Sequence, residues 1–223
     1  MSEQQSLMRS AAALAVPLTE LQAAALLRLL DELSAWNKAY NLTAITERGA
    51  MLTHHLLDSL SVQADLEGSR IADVGTGAGF PGLPLALLNP TRHFTLIDSS
   101  GKKIRFVAHA ARTLGLANVE AVHKRAEDLG ASAPFDTVLA RALAPLPELL
   151  KAVKGLCGPD TRVIAMKGRY PAAEIAALAG AWQLAASRAV SVPGLAAERH
   201  VLTFVAPGPR PVAPPGAAGL PAG

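Results

Sequence analysis

The chain has one cysteine, Cys157, so no intrachain disulfide can staple it, and a lone thiol fits a reducing compartment. Aromatic residues make up only 4% of the 223, which leaves few stacking platforms for bases or sugars. Charged residues reach 17% and hydrophobic ones 50%, a balance that excludes wholesale disorder. No uncharged apolar run approaches the ~20 residues that a membrane span requires. Ser10 to Leu18 is apolar but short, and nothing around it reads as a secretion signal. These absences point to a cytoplasmic protein with no membrane partner. The length suits one domain of ordinary size, able to bury roughly 70% of the surface its unfolded chain exposes.

The formal net charge of +3 hides an asymmetry. Residues 1–69 carry 4 Lys/Arg against 8 Asp/Glu, whereas residues 70–205 carry 16 against 10. A basic body beside an acidic N-terminal part suggests a polyanionic partner on one face.

Hydrophobic spacing divides the chain into a helical extension over 1–69, an α/β body over 70–206 and a Pro/Ala/Gly tail, expected to be disordered, over 207–223. Thr19 and Gln22 form a capping box, and Leu21, Ala25, Leu26, Leu29, Leu33 and Trp36 continue at helical spacing. A polar turn is expected over Asn37–Thr43 and a second helix over about Ala50–Leu66. Strands are expected at Arg70–Val74, His93–Ile97, Val119–His123, Thr137–Ala140, Arg162–Met166, Ser187–Val192 and His200–Val205. Helical stretches fill most of the gaps, which predicts a mostly parallel sheet covered on both faces. The last two strands lack a helix between them and are expected to form an antiparallel edge hairpin.

The most informative stretch is Ile71-Ala-Asp-Val-Gly75-Thr-Gly77-Ala-Gly79-Phe-Pro-Gly82, where the first strand ends and the next helix begins. Glycines there permit a sharp turn and a close approach of ligand to main chain. A dinucleotide fingerprint would need its third glycine at position 80, which is Phe80. The spacing G-x-G-x-G after Asp73 is instead the first motif of S-adenosylmethionine-dependent methyltransferases. Asp98, at the end of the second strand, can accept both ribose hydroxyl hydrogens; its alternative role is a cap for the following helix. In such a class I, Rossmann-like fold Ala126 and Glu127 would lie against the adenine, and Arg141 at the mouth of the cleft. No Asn/Asp-Pro-Pro-aromatic run follows the fourth strand, which carries Ala140-Arg-Ala-Leu-Ala-Pro, and Cys157 lies too far along the chain for covalent cytosine chemistry. Direct transfer to an atom that is already nucleophilic remains.

The chain resembles the ribosomal small-subunit methyltransferase G family (RsmG/GidB) over roughly residues 20–205. The resemblance rests on Trp36-Asn-Lys-Ala-Tyr-Asn-Leu-Thr43, His54-His-Leu-Leu-Asp-Ser59, Asp73 to Gly82, Asp98-Ser-Ser-Gly-Lys-Lys-Ile-Arg-Phe106, Phe135-Asp136 leading to Arg141-Ala142, Met166-Lys-Gly168 and Glu198-Arg-His-Val201. It implies S-adenosylmethionine as cofactor and 16S rRNA in the small ribosomal subunit as partner. The implied reaction is methylation of N7 of guanosine 527 in the 530 loop of that rRNA. It further implies that Gly75, Phe80, Ala126, Glu127 and Arg141 contact the cofactor, with Thr76, Gly77, Gly79 and Asp98 completing the expected cofactor site. Phe80 stands where relatives often have Leu, and the tail lies outside the family pattern. No obligatory protein partner is expected.

Lys102, Arg105, His109 and Arg112 fall on one face of a helix whose other side is Ile104, Val107, Ala111 and Leu114, a basic stripe suited to phosphates or to solvent alone. Arg125, Lys167, Arg199 and His200 add positive charge at strand ends, as RNA contacts or structural ion pairs. His54 and Asp58 share a helical face, but no further ligands sit at metal-binding spacing, so no metal is expected. Two other readings stay open: a methyltransferase for a small metabolite, and a non-catalytic RNA-binding assembly factor. Guanine N7 carries an exposed lone pair, so attack on a sulfonium methyl needs alignment and no general base, and Arg141 is the candidate for positioning. Replacing His54 or His55 by Ala is accordingly expected to leave measurable methyl transfer in a folded protein with normal cofactor affinity. Complete loss in both variants would contradict chemistry without a base.

Overall fold

The computed structural model describes residues 2–206 apart from 131, 132, 142, 143, 179 and 181. The tail from Pro207, Ala142 of the Arg141-Ala142 motif and the expectation of disorder beyond 206 therefore lie outside the described residues.

Two capped helices begin the fold. In α1 (Glu3–Ala13), Ser2 and Gln5 form a reciprocal capping box; this short helix was not foreseen. In α2 (Glu20–Tyr40), Thr19 Oγ1 accepts from Gln22 N at 3.2 Å and Gln22 Oε1 accepts from Thr19 N at 2.9 Å. The apolar face of α2 is Ala23, Leu26, Leu29, Leu30 and Leu33, all fully buried. Leu21 corrects the expected stripe: it is 84% exposed, because five residues of helix turn it about 140° away from Leu26. The helix runs through Asn37 to Tyr40 and stops at Asn41, whose φ of 49° is left-handed. Asn37 still organises the turn, its Oδ1 accepting from the N–H groups of Leu42 and Thr43 at 2.6 and 2.9 Å.

The expected helix over Ala50–Leu66 is instead composite. It comprises α3 (Arg48–Met51), a wider π turn over Leu52–Leu57 and α4 (Asp58–Leu60), followed by a tight turn at Gln63–Asp65. A π turn shifts the hydrogen-bond register by one residue and rotates side chains and carbonyls out of α phase.

The body alternates β1 (Arg70–Val74), α5 (Gly82–Leu88), β2 (His93–Asp98), α6 (Gly101–Thr113), β3 (Val119–His123), β4 (Phe135–Arg141), α7 (Leu146–Val153), β5 (Cys157–Lys167), α8 (Ala172–Ala176), β6 (Gln183–Ala189) and β7 (His200–Val205). These strands form one sheet in the order β3-β2-β1-β4-β5-β7-β6. The first five are parallel, and β7 inserts antiparallel between β5 and β6. The α/β class, the mostly parallel sheet and the antiparallel edge hairpin agree with the sequence reading. β4 and β5 start earlier than expected, because Cys157 pairs with Phe135 before the ladder skips to Thr137 and Arg162. β6 lies several residues upstream of the expected Ser187–Val192. Val190 and Val192 follow after the strand has ended and join the core cluster that holds Leu26 and Leu33.

One face of the sheet is covered by α2, α5 and α6 through Leu26, Leu33, Leu83 and Phe106, the other by α7 through Leu149, Leu150 and Val153. Chain order reverses at β1, which pairs with β2 on one side and β4 on the other. Ligands in open α/β sheets bind beyond the strand C-termini at that switch point. Among the described residues no helix is long and apolar enough to cross a membrane.

Leu33→Ala, which removes a fully buried side chain, should destabilise by about 2–5 kcal/mol. Leu21→Ser should stay within about 0.5 kcal/mol of the parent. Urea unfolding of the two variants checks the phase of α2, and equal losses would contradict it.

Candidate functional site

The loop after β1 is held open from below. Gly75 N and Thr76 N donate to Ile97 O at 2.8 and 3.0 Å, and Gly77 N donates to Asp98 Oδ2 at 2.9 Å. Asp98 also accepts from Ser100 N at 2.8 Å, so it fastens the loop to the segment that leads into α6. Of the two roles expected for this carboxylate, ribose acceptor and helix cap, the cap is not seen: α6 has no side-chain cap, and Asp98 bonds the N–H of Ser100 just before the helix. Gly77 has φ +61°, and a Cβ built there meets only Gly75 O, 4.0 Å away. The space above Gly77 is a cradle that any side chain would enter. Gly79 differs: at φ +87° its Cβ would lie 2.3 Å from Leu83 Cδ1. Its freedom serves packing of α5, and it lines neither cavity described below.

Beneath the loop, Asp73 Oδ2 accepts from Thr76 Oγ1 at 2.6 Å and from Gly82 N at 2.8 Å. Thr76 thus turns its hydroxyl into the fold. Burial pushes the Asp73 carboxyl up to about 6, against the opposing pull of those two donors, and its Oδ1 is buried without a partner.

Two cavities of about 450 and 440 Å³ open at the switch point. Their linings share Gly75, Lys103 and Arg141, which form a common wall. One cavity runs along Asp98, Arg125, Ala126 and Glu127. The other runs along Gly77, Phe80, His54 and His55 to Lys167 and Arg199. The structure therefore brings eight of the nine expected cofactor residues to this pair of cavities, Gly79 being the exception.

Asp58 organises the second cavity. Its carboxylate, only 3% exposed, accepts from Arg141 Nη1 at 3.1 Å on Oδ2 and from Arg199 Nε at 2.9 Å on Oδ1. Arg141 Nη1 also donates to His54 O at 2.7 Å, within the π turn. The His55 ring stacks on Phe80 with centroids 4.8 Å apart, and its Nε2 lies 3.2 Å from Thr43 Oγ1. Burial, with Arg141 and His54 adding to it, lowers His55 to about 4, so the ring is neutral at physiological pH. Replacing His55 therefore removes packing on Phe80 as well as a ring nitrogen.

The expected RNA contacts separate into groups. Lys102 donates to Tyr40 O at 2.8 Å and Asn41 O at 3.3 Å, and His109 Nε2 lies 2.7 Å from Glu32 Oε2 with its ring against Trp36. These two hold α6 to α2, which interrupts the expected basic stripe. Arg105 and Arg112 are exposed on α6. Arg125 is exposed on the first cavity. Lys167 lines the second, its Nζ bound to Glu174 and Ala144 O. His200 Nδ1 sits 3.0 Å from Gly168 O, outside both cavities. Sequence reasoning missed Lys103, because neighbouring lysines at 102 and 103 do not reveal which one faces the cleft. It set aside a metal at Asp58 but did not foresee the two arginines, since these partners lie 83 and 141 positions further along the chain.

Asp58→Ala should leave two half-buried guanidinium groups without their carboxylate and cost about 3–5 kcal/mol. Urea unfolding checks this, and a loss below about 1 kcal/mol would contradict the bridge.

The family model for "rRNA small subunit methyltransferase G" matches residues 22–202. A curated "Ribosomal RNA small subunit methyltransferase G" from Alkalilimnicola ehrlichii is 46% identical over 194 residues, 87% of this chain and 88% of that protein. The protein of that name from Marinobacter nauticus is 44% identical over 191 residues, 86% of this chain and 89% of the other. Among solved structures, magnesium protoporphyrin IX methyltransferase from Synechocystis with bound SAH aligns with a TM-score of 0.57 at 18% identity, covering 80% of this chain and 94% of that one. The ribosomal protein L11 methylase of Lactobacillus delbrueckii subsp. bulgaricus gives 0.55 at 18% identity, covering 73% and 80%. These two likenesses concern the fold, a class I methyltransferase sheet. The extent and identity of the sequence matches establish that the chain belongs to the rRNA small subunit methyltransferase G family.

Proposed function

We propose that the protein transfers a methyl group from S-adenosylmethionine to N7 of a guanosine in the 530 loop of 16S rRNA, on the small ribosomal subunit in the cytoplasm. The observation that carries this reading is the wall of Gly75, Lys103 and Arg141 between two cavities of nearly equal volume. One cavity presents an acid at a strand end and the other a cluster of cations.

The residues present fit the donor. Gly77 leaves its cradle free of side chain, and Asp98 retains lone pairs for ribose hydroxyls beyond the two backbone N–H groups it accepts. Asp98, Ala126 and Glu127 would hold the adenosine, and the main chain of Gly75 to Gly77 would lie beside the amino-acid portion, with Phe80 beneath. When bound, the donor supplies an electrophilic methyl on a positively charged sulfur. Gly79 supports this site from below by letting α5 pack closely.

The acceptor side suits RNA. Lys103, Arg141, Lys167 and Arg199 stand against the single carboxylate of Asp58, an environment for an anionic strand rather than an apolar metabolite. N7 has its lone pair in the ring plane and loses no proton, so no side chain has to accept one. The neutral His55 ring and Phe80 give the base a flat, uncharged neighbour. Arg141, fixed by His54 O and Asp58, cannot swing freely, so it orients what enters. The helical extension over 1–69 serves the methyltransferase body over 70–206 directly, because it supplies His54, His55 and Asp58.

Incubation of the protein and S-adenosylmethionine with small subunits lacking the modification, followed by mass spectrometry of the rRNA, should find N7-methylguanosine in the 530 loop. Absence of transfer to naked rRNA, precursor and assembled subunit alike would contradict the proposal.

A further inference from the structure

Of the four cations lining the second cavity, three are already committed. Arg141 is bound by Asp58 and His54 O, Arg199 by Asp58, and Lys167 by Glu174 and Ala144 O. Lys103 is half-buried and lines both cavities, yet among the described residues its ammonium has neither an ion-pair nor a hydrogen-bond partner. Its neighbour Lys102, the obvious candidate by sequence, is spent on the carbonyls that end α2. Lys103 also sits in the first turn of α6, a turn with no acidic residue. A cation at a helix N-terminus works against the helix dipole, so local helix energetics do not explain its presence. Local rules broken without local compensation are where function is to be sought.

We infer that Lys103 holds a backbone phosphate of the target RNA at the wall the two cavities share, and so sets the target nucleotide beside the methyl donor. The inference rests on the proposed methyl transfer to small-subunit rRNA. A flexible ammonium with three donors suits a phosphate whose exact position varies as a nucleotide is drawn in. The carboxylates near the wall leave it available: each Asp58 oxygen takes an arginine, and Asp98 is engaged by two backbone N–H groups and, among the described residues, pairs with no lysine. In this role Lys103 is a positioning residue that adds affinity for the strand and takes no proton.

The test compares the full-length parent with Lys103→Met and Lys103→Arg. Methyl transfer to small subunits lacking the modification is measured at several salt concentrations, and S-adenosylhomocysteine affinity by calorimetry. Lys103→Met should raise KM for the subunit roughly 10-fold or more, the scale of one charged hydrogen bond. It should lower the slope of log KM against log salt by about 1, with kcat and S-adenosylhomocysteine affinity within about twofold of the parent. Lys103→Arg should restore most of the lost affinity. An unchanged subunit KM overturns the inference. So does a loss confined to S-adenosylhomocysteine affinity, which would assign Lys103 to the donor's carboxylate, or a loss that Arg does not relieve. Parent protein without transfer to any subunit would instead overturn the proposed function, so the two failures are distinguishable.

Discussion

The Asp58 carboxylate between Arg141 and Arg199 is the contact on which the site depends. It joins the start of α4, just after the π turn, to the end of β4 and the residue before β7, three segments far apart in sequence, at the rim of the sheet's switch point. A buried carboxylate is costly unless its oxygens are satisfied, and here each takes a guanidinium donor. The π turn takes part in the same contact, because His54 O lies within it and accepts from the Arg141 guanidinium that also holds Asp58.

From that bridge the division of labour among cations follows. Those that look basic in the sequence are mostly structural: Lys102 and His109 fasten α6 to α2, and Lys167 is held by α8 through Glu174. The acidic N-terminal extension is likewise partly internal balance, since Glu32, Asp58 and Asp65 each face a basic group of the body. The mild net charge therefore understates how strongly positive the lining of the second cavity is. That lining also holds the stacked rings of Phe80 and His55.

Much of the fold was legible because its signals are local. The capping box at Thr19, the buried β1 and β2 runs and the glycine loop each specify their own geometry within a few residues. Strand ends were less legible where tertiary packing set them, as in the early start of β5 at Cys157 and the end of β6 ahead of Val190 and Val192. The short α1 carries its own capping box, but the apolar run at its end obscured its bounds. In the site, the glycines and Asp98 could be placed because one strand-loop-helix unit contains them. The roles of Asp58 and Lys103 could not, because they depend on which partners the fold brings to them and which it leaves away.

The central claim is that donor and acceptor meet across the wall of Gly75, Lys103 and Arg141, with the Asp58 bridge holding that wall. A crystal structure with S-adenosylhomocysteine bound tests it most directly. The account predicts the ribose at Asp98, the adenine along Ala126 and Glu127, and the sulfur at the shared wall with both arginines still on Asp58. A ligand lodged elsewhere, or a sulfur turned away from the cavity of Arg141 and Arg199, would contradict it.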